Sequence, residues 1–420
     1  MENANIPPNP QREVYLWIKL NSGVWKSIIF ICVIIIGVIV FVEQGSHEPI
    51  SSVTKNIQNP SVNLAKTGTN LRGYTVEKIW DLSISSRYTR AFAMDSHDTM
   101  YVSEAYEWWD TNSRILKYDT EWKFIGWFGK GTTFFGWHGP DLSEKSSVGS
   151  NSGEFYNIFK IIFDPDDNMY IIDRDYFDMQ GYPQSGNDRI QKFDQTGNFI
   201  AWLGKGDKTF GWHHANNREK NITWSQEDWA IREATCIFLA WDDLLVSGWK
   251  WNRIDKFDIN TGLLKGWLGK SQDNTYGWHT PDGKTALAAP YYGQEIWAFN
   301  SPFDCKVSRD NELYVLSYNS DPVIAIFDYT TGTYKDGLFH SEGYKPANMI
   351  LDQYNNLILS DNYQWSIRFL NQQKQQVATL QLWPGWDYFG VGDFAFNREG
   401  DLFFLEKIKN KIYKIKLQYQ

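Results

Sequence analysis

The chain has 420 residues, a formal net charge of −9 at pH 7 and three cysteines. No block of Lys and Arg interrupts this acidic balance, which argues against a nucleic-acid partner, since such binding relies on cations that neutralise phosphates. No Cys-x-x-Cys-His run occurs, which removes covalently attached haem.

Residues 1–25 read as a cytoplasmic N-terminal segment, in which Pro10 to Leu20 suits a short helix on the inner membrane surface or plain disorder equally well. Ile28 to Val42 is a run of 15 residues without a polar side chain. With its flanks, residues 26–43 just reach across ~30 Å of hydrocarbon at ~1.5 Å per residue, Lys26 snorkelling to the headgroups. Glu43 to Ser46 offers no small-x-small cleavage pattern, and the preceding segment is long for a signal peptide, so an uncleaved single-pass anchor is expected. Arg12, Lys19 and Lys26 lie before the run, and Glu43 and Glu48 after it. The N-terminus is therefore expected in the cytoplasm and the bulk of the chain outside, in a periplasm or at a cell surface. Residues 44–73, rich in Ser, Asn, Thr and Gly, cannot build a core and read as a flexible tether.

Tyr74 to Leu82 is an isolated strand-like run. Beyond it, pairs of short apolar runs joined by Asx-rich turns recur at Phe92 to Val102, Ile161 to Ile172, Ile237 to Val246, Cys305 to Leu316, Met349 to Leu359 and Phe394 to Leu405. Turn residues between runs of strand length predict six hairpins. A third strand follows each hairpin and a fourth follows the first five, but the chain ends after the third strand of the last unit. Six four-stranded blades around a channel are predicted, with Tyr74 to Leu82 supplying the missing outer strand and closing the ring. The aromatic content of 17% suits such packing, and most of the 21 tryptophans are expected to be structural.

Arg114 to Asp119, Arg189 to Asp194 and Arg253 to Asp258 share the pattern R-I-x-K-aromatic-D. Each leads to Trp-(Phe/Leu)-Gly-Lys, ending at Lys130, Lys205 and Lys270, and then to aromatic-Gly-Trp-His, ending at His138, His213 and His279. A self-similar unit of this kind buries its apolar face by stacking on its neighbours. These motifs, with the turn Asp164 to Asn168 and Gly197-Asn-Phe, resemble the NHL-repeat six-bladed β-propellers. The resemblance covers roughly residues 74–417, with 74–420 as the propeller domain, and is strong in the first three units and looser in the last three. It implies the fold; it admits binding modules, lyases and lactonases alike.

Spacing between the hairpins is longer by roughly 25 residues in the first three units than in the last two, and long loops in a compact domain are usually functional. By the geometry of the resembled family, the extra residues share a face with the loops joining second and third strands. Two of those loops are aromatic, which nominates Tyr106, Trp108, Trp109, Arg174, Tyr176, Phe177 and Tyr182 as binding residues, with Trp137, Trp212 and Trp278 from the long connections. Three readings compete for them: docking to a protein partner in a membrane complex as a non-catalytic scaffold subunit, stacking on a glycan, or catalysis.

His138, His213 and His279 are a ligand count that suits zinc, but ~60° blade rotations keep equivalent residues apart, and each is expected to pair within its own blade. No cofactor is expected. Arg90, Lys160, Glu233, Asp304, Asn348 and Asp393 are read as the inner-strand openings. Lactonase-like relatives of the resembled fold carry calcium in the channel, and Glu233, Asp304, Asn348 and Asp393 are the hard oxygen donors that would hold it here. The runner-up readings are a glycan-binding propeller and a metal-dependent lactonase- or lyase-like enzyme at that channel. Cys236 and Cys305 open neighbouring hairpins, and either a disulfide or two buried thiols fits them.

Overall fold

In the computed structural model the described residues are 70–420, apart from 83–88, 105–112, 150, 175–187, 206–209, 215–230, 232–233, 249–251, 272, 282–298, 300, 318–321, 340–345, 362–364, 383–390 and 408. Ile28 to Val42 and the tether up to residue 69 lie outside them. No helix among the described residues is long and apolar enough to cross a membrane.

Six antiparallel sheets form the molecule. Blade 1 is β2 (Thr89–Met94), β3 (Met100–Glu104), β4 (Arg114–Tyr118), β5 (Phe124–Lys130) and β6 (Phe135–His138). Blade 2 is β7 (Ile158–Phe163), β8 (Met169–Asp173), β9 (Arg189–Phe193), β10 (Phe199–Lys205) and β11 (Phe210–His214). Blade 3 is β12 (Ala234–Ala240), β13 (Asp243–Gly248), β14 (Ile254–Asp258), β15 (Leu264–Lys270) and β16 (Tyr276–His279). Blade 4 is β17 (Pro302–Val307), β18 (Glu312–Ser317), β19 (Ile324–Asp328) and β20 (Tyr334–Leu338), and blade 5 is β21 (Pro346–Leu351), β22 (Leu357–Asp361), β23 (Ser366–Leu370) and β24 (Gln376–Gln381). Blade 6 takes β25 (Val391–Phe396), β26 (Leu402–Glu406) and β27 (Lys411–Tyr419) from the C-terminus and β1 (Leu71–Asp81) from the N-terminal side.

All six predicted hairpins are present, and β1 pairs along β27 from Leu71↔Tyr419 to Asp81↔Lys411, so the ring is closed by the two ends of the propeller. One expectation is corrected. Blades 1 to 3 have five strands rather than four, because the aromatic-Gly-Trp-His segments add an outer strand to each.

Turn chemistry explains the hairpins. Asp95, Asp164 and Asp352 each accept two backbone N–H groups of the following reversal, at 2.8 to 3.0 Å. These reversals place Asp98, Asp167 and Asn355 in the left-handed region, as the Ser308 reversal of blade 4 places Asn311, and short polar side chains are tolerated there. Inner strands of successive blades adjoin around the ring, β25 meeting β2 to complete it. The core is correspondingly divided into six apolar clusters, one between each pair of blades.

Candidate functional site

The repeated motif is largely explained by packing. Arg114 and Arg189 are buried and bond the carboxylates that end the second strands, Glu104 at 2.6 Å and Asp173 at 3.2 Å, whereas Arg253 pairs with Asp255 of its own strand at 2.8 Å. Ile115, Ile190 and Ile254 enter the core. Lys117, Lys192 and Lys256 lay their ammonium groups over Trp137, Tyr170 and Trp278 at 4.7, 4.8 and 3.7 Å, a cation–π contact. The closing Asp119, Asp194 and Asp258 cap the turn that follows.

The histidines do not converge. His138, His213 and His279 stack on Trp127, Trp202 and Trp267 of their own blades at 3.8, 4.2 and 4.1 Å. Each Nε2 lies 3.0 to 3.2 Å from the carbonyl of Gly129, Gly204 or Gly269, as local pairing requires. The neighbouring tryptophans reach the next blade. Trp137, Trp212 and Trp278 lie against Gly197, Gly262 and Gly332, where a Cβ would come within 2.6 to 2.8 Å of them. Trp212 Nε1 donates to the Ile259 carbonyl at 3.0 Å and Trp278 Nε1 to that of Tyr329 at 2.7 Å. These three residues are therefore half-buried at blade seams on the outer rim.

Of the other nominated binding residues, Tyr106, Trp108, Trp109, Tyr176, Phe177 and Tyr182 lie outside the described residues. Arg174 is buried at the end of β8, its guanidinium 4.5 Å from the Phe159 ring that Arg90 also approaches at 5.7 Å. Beside it, Asp173 accepts from Arg189, Gln191 and the backbone of Tyr156 and Asn157. Burial raises its carboxyl to about 6 against those donors, which leaves it ionised at neutral pH.

At the channel the structure corrects the expected ring. Every inner strand carries a register shift near its start, between Ile158 and Lys160 in β7 for example. The residues brought to one level are consequently Ala91, Lys160, Cys236, Asp304, Asn348 and Asp393, with Ala91 in place of Arg90 and Cys236 in place of Glu233, which lies outside the described residues. This ring clamps blade to blade. Asp304 Oδ2 accepts the Met349 N–H at 2.9 Å, Asp393 Oδ2 the Phe92 N–H at 3.4 Å, Cys236 Sγ the Cys305 N–H at 3.2 Å, and Asn348 Nδ2 donates to the Gly392 carbonyl at 2.9 Å. The remaining oxygens of the two aspartates take the ammonium groups of Lys306 and Lys160. Those carboxylates are thus committed to lysines and backbone N–H groups, and no cluster of three potential metal-binding His, Cys, Asp or Glu side chains occurs among the described residues. Cys236 and Cys305 are free buried thiols with Sγ atoms 3.3 Å apart, and burial pushes the Cys236 thiol up.

Two lysines escaped the sequence reading. Lys306 follows the ring in β17, and Lys407 follows β26 with its Cε 3.1 Å from where a Cβ on Gly392 would stand. A Lys two residues beyond an acid in a strand sharing its face could have signalled the first. Nothing local signals the second.

Comparison with known proteins adds no activity. No protein-family model matches the chain, and no curated protein matches it. Among solved structures, it is similar to a streptogramin B lyase at 12% identity and a TM-score of 0.49, over 84% of this chain and 100% of that one. Similarity to virginiamycin B lyase from Staphylococcus aureus is at 10% identity and 0.49, over 82% and 100%. A chain of the mitotic checkpoint complex matches at 9% identity and 0.48, over 87% and 98%. Likenesses this distant carry no argument about chemistry, and the six-bladed architecture rests on the strand pairing itself.

Proposed function

We propose that the protein is a membrane-tethered, extracytoplasmic propeller that acts as a non-catalytic interaction or scaffold subunit of a membrane complex. One residue carries this reading. The first hairpin of blade 3 turns in two residues, Trp241 and Asp242, where the hairpins of blades 1, 2, 4 and 5 use three, and it places Trp241 in the left-handed region with φ 53° and 63% of its surface exposed. A bulky residue in that region is strained, and a large exposed aromatic is normally kept for contact with something. Leu263, 59% exposed, stands in the outer turn of the same blade. Other exposed large apolar side chains of the five-stranded blades are Ile125, Phe134, Leu142 and Tyr276. Anchor, tether and the aromatic loops around Trp108 and Tyr176 fit the same reading, because they hold such surfaces near other membrane components.

The test places a photo-crosslinking amino acid at Trp241 or at Trp108 in the full chain within its own membranes. A discrete heterologous adduct of constant mass is expected from at least one position, lost from position 108 when Trp241→Ser and Leu263→Ser are combined, or from position 241 when Trp108→Ala and Trp109→Ala are. Only self-adducts, or a diffuse ladder unaffected by either pair, would remove the reading.

A further inference from the structure

The channel holds a cavity of about 360 Å³. Its lining takes residues from the second half of all six inner strands, the last residue in five of them and Leu239 next to last in β12, and none of their first residues, so it opens between the hairpin turns, opposite the connections between blades. Met94, Phe163, Leu239, Val307, Leu351 and Phe396 form its rim, one apolar half-buried side chain from each blade. One step deeper come Ala93, Ile162, Phe238, Ile350 and Ala395, with Lys306 as the sixth member. Lys160, Asn348 and Asp393 make the floor. An apolar wall ending on a few convergent polar groups is the usual composition of a small-molecule site.

The polar end is cationic in balance. Lys306 gives one N–H to Asp304 and another to the Cys305 carbonyl at 3.0 Å, and Lys160 gives one to Asp393. An ammonium has three donors, so both retain donor capacity at the floor beyond these bonds. Lys407 lies close behind, so the three ammonium groups of Lys306, Lys160 and Lys407 face the carboxylates of Asp304 and Asp393. The field is felt by Lys407. Burial and the charges of Arg90 and Lys160 outweigh Asp393 and bring its pKa down to about 8.

We infer that this cavity binds an amphipathic monocarboxylate, its carboxylate on the Lys306 and Lys160 ammonium groups and its hydrocarbon body within the apolar collar. From Phe163 to Lys160 is three strand residues, ~10 Å at ~3.3 Å each, which matches an extended acyl chain of about eight carbons. The inference does not rest on the scaffold reading, although Trp241 lies two residues beyond the rim residue Leu239.

The probe is octanoate bearing a terminal diazirine, photolysed with the purified full chain in detergent, and labelled peptides are mapped. Label is expected on β7, β12 and β25, competed by unlabelled octanoate and at least tenfold less by octan-1-ol. Lys306→Met with Asp304→Asn, which removes both charges together and keeps an acceptor for the Met349 N–H, is expected to abolish octanoate competition. Leu239→Glu, at the rim and clear of every buried ion pair, is expected to lower labelling at least tenfold in a chain that keeps a cooperative unfolding transition. Label confined to other strands, equal competition by the alcohol, or full labelling in the Leu239→Glu chain would overturn the assignment.

Discussion

Trp122 occupies a backbone position that suits glycine. Its φ is 70°, and the corresponding outer turns of blades 2 to 4 hold Gly197, Gly262 and Gly332 there, each covered by a tryptophan from the preceding blade. Blade 6 has no fifth strand and sends no such tryptophan to blade 1. Trp122 fills the space itself, stacked on Trp80 at 3.9 Å and on Phe403 at 5.3 Å. Trp122→Gly therefore relieves ~1 kcal/mol of strain but loses stacking and apolar burial, and a net destabilisation of about 1–2 kcal/mol is expected in denaturant unfolding. Gly332→Ala is expected to cost more, at least ~2 kcal/mol, because its Cβ would meet the Trp278 backbone nitrogen at 2.6 Å at a positive φ. Equal midpoints for the two variants would contradict this division of labour.

Lys407 gives a pH dependence with a definite sign. Its folded pKa of about 8 is below the ordinary 10.5, so between these values the unfolded chain binds more protons and stability rises with pH. Below about 8 the full penalty of the buried charge is present. Lys407 is half-buried, so Lys407→Met is expected to stabilise the propeller at pH 7 by on the order of 2 kcal/mol, with the advantage fading by pH 10.5. Thermal unfolding of both chains across that range checks it, and an advantage that grows with pH would refute it.

At the scale of elements, the fifth strands β6, β11 and β16 join consecutive blades as well as widening them. The three seam tryptophans are not equivalent, since Trp212 and Trp278 hydrogen-bond the next blade and Trp137 Nε1 has no partner among the described residues. A single hydrogen bond contributes ~0.5–1.5 kcal/mol net. Trp212→Phe and Trp278→Phe should thus each cost about 1 kcal/mol more than Trp137→Phe, read as the shift in urea midpoint at constant slope. These strands were not legible as strands. Aromatic-Gly-Trp-His is four residues long with a glycine second, below the length at which alternation distinguishes a strand from a loop. The inner-strand bulges were hidden for a related reason. They change which side chain faces the channel without any turn residue to mark them, and in β2 both Arg90 and Ala91 fall between the paired Thr89 and Phe92, so nothing in the sequence marks Ala91 rather than Arg90.

For the molecule as a whole, what the sequence did carry was closure. Asx-capped reversals, strand-length apolar runs and one surplus strand ahead of the first hairpin were enough to place six blades and their clasp, because each signal is local or countable. The candidate site was less legible, since it depends on register across blades and on residues far apart in the chain, such as Lys160 with Asp393. Clasping has its own consequence. Without β1, strand β27 would present an unpaired edge and Tyr74 would leave its stack on Phe369 at 4.6 Å. A chain starting at residue 83 is expected to aggregate or to unfold at least 10 °C lower, and an unchanged midpoint would mean that the ring does not depend on its N-terminal strand.

Whether the closed propeller serves a membrane complex is decided most directly by native mass analysis after gentle detergent extraction from its own membranes. The expected result is a particle heavier than the 49.0 kDa chain that contains a second kind of subunit and reverts to the bare chain when Trp241→Ser is combined with Leu263→Ser. A monodisperse particle of the single chain, extracted from membranes in which the protein is at its natural abundance, would contradict the scaffold reading.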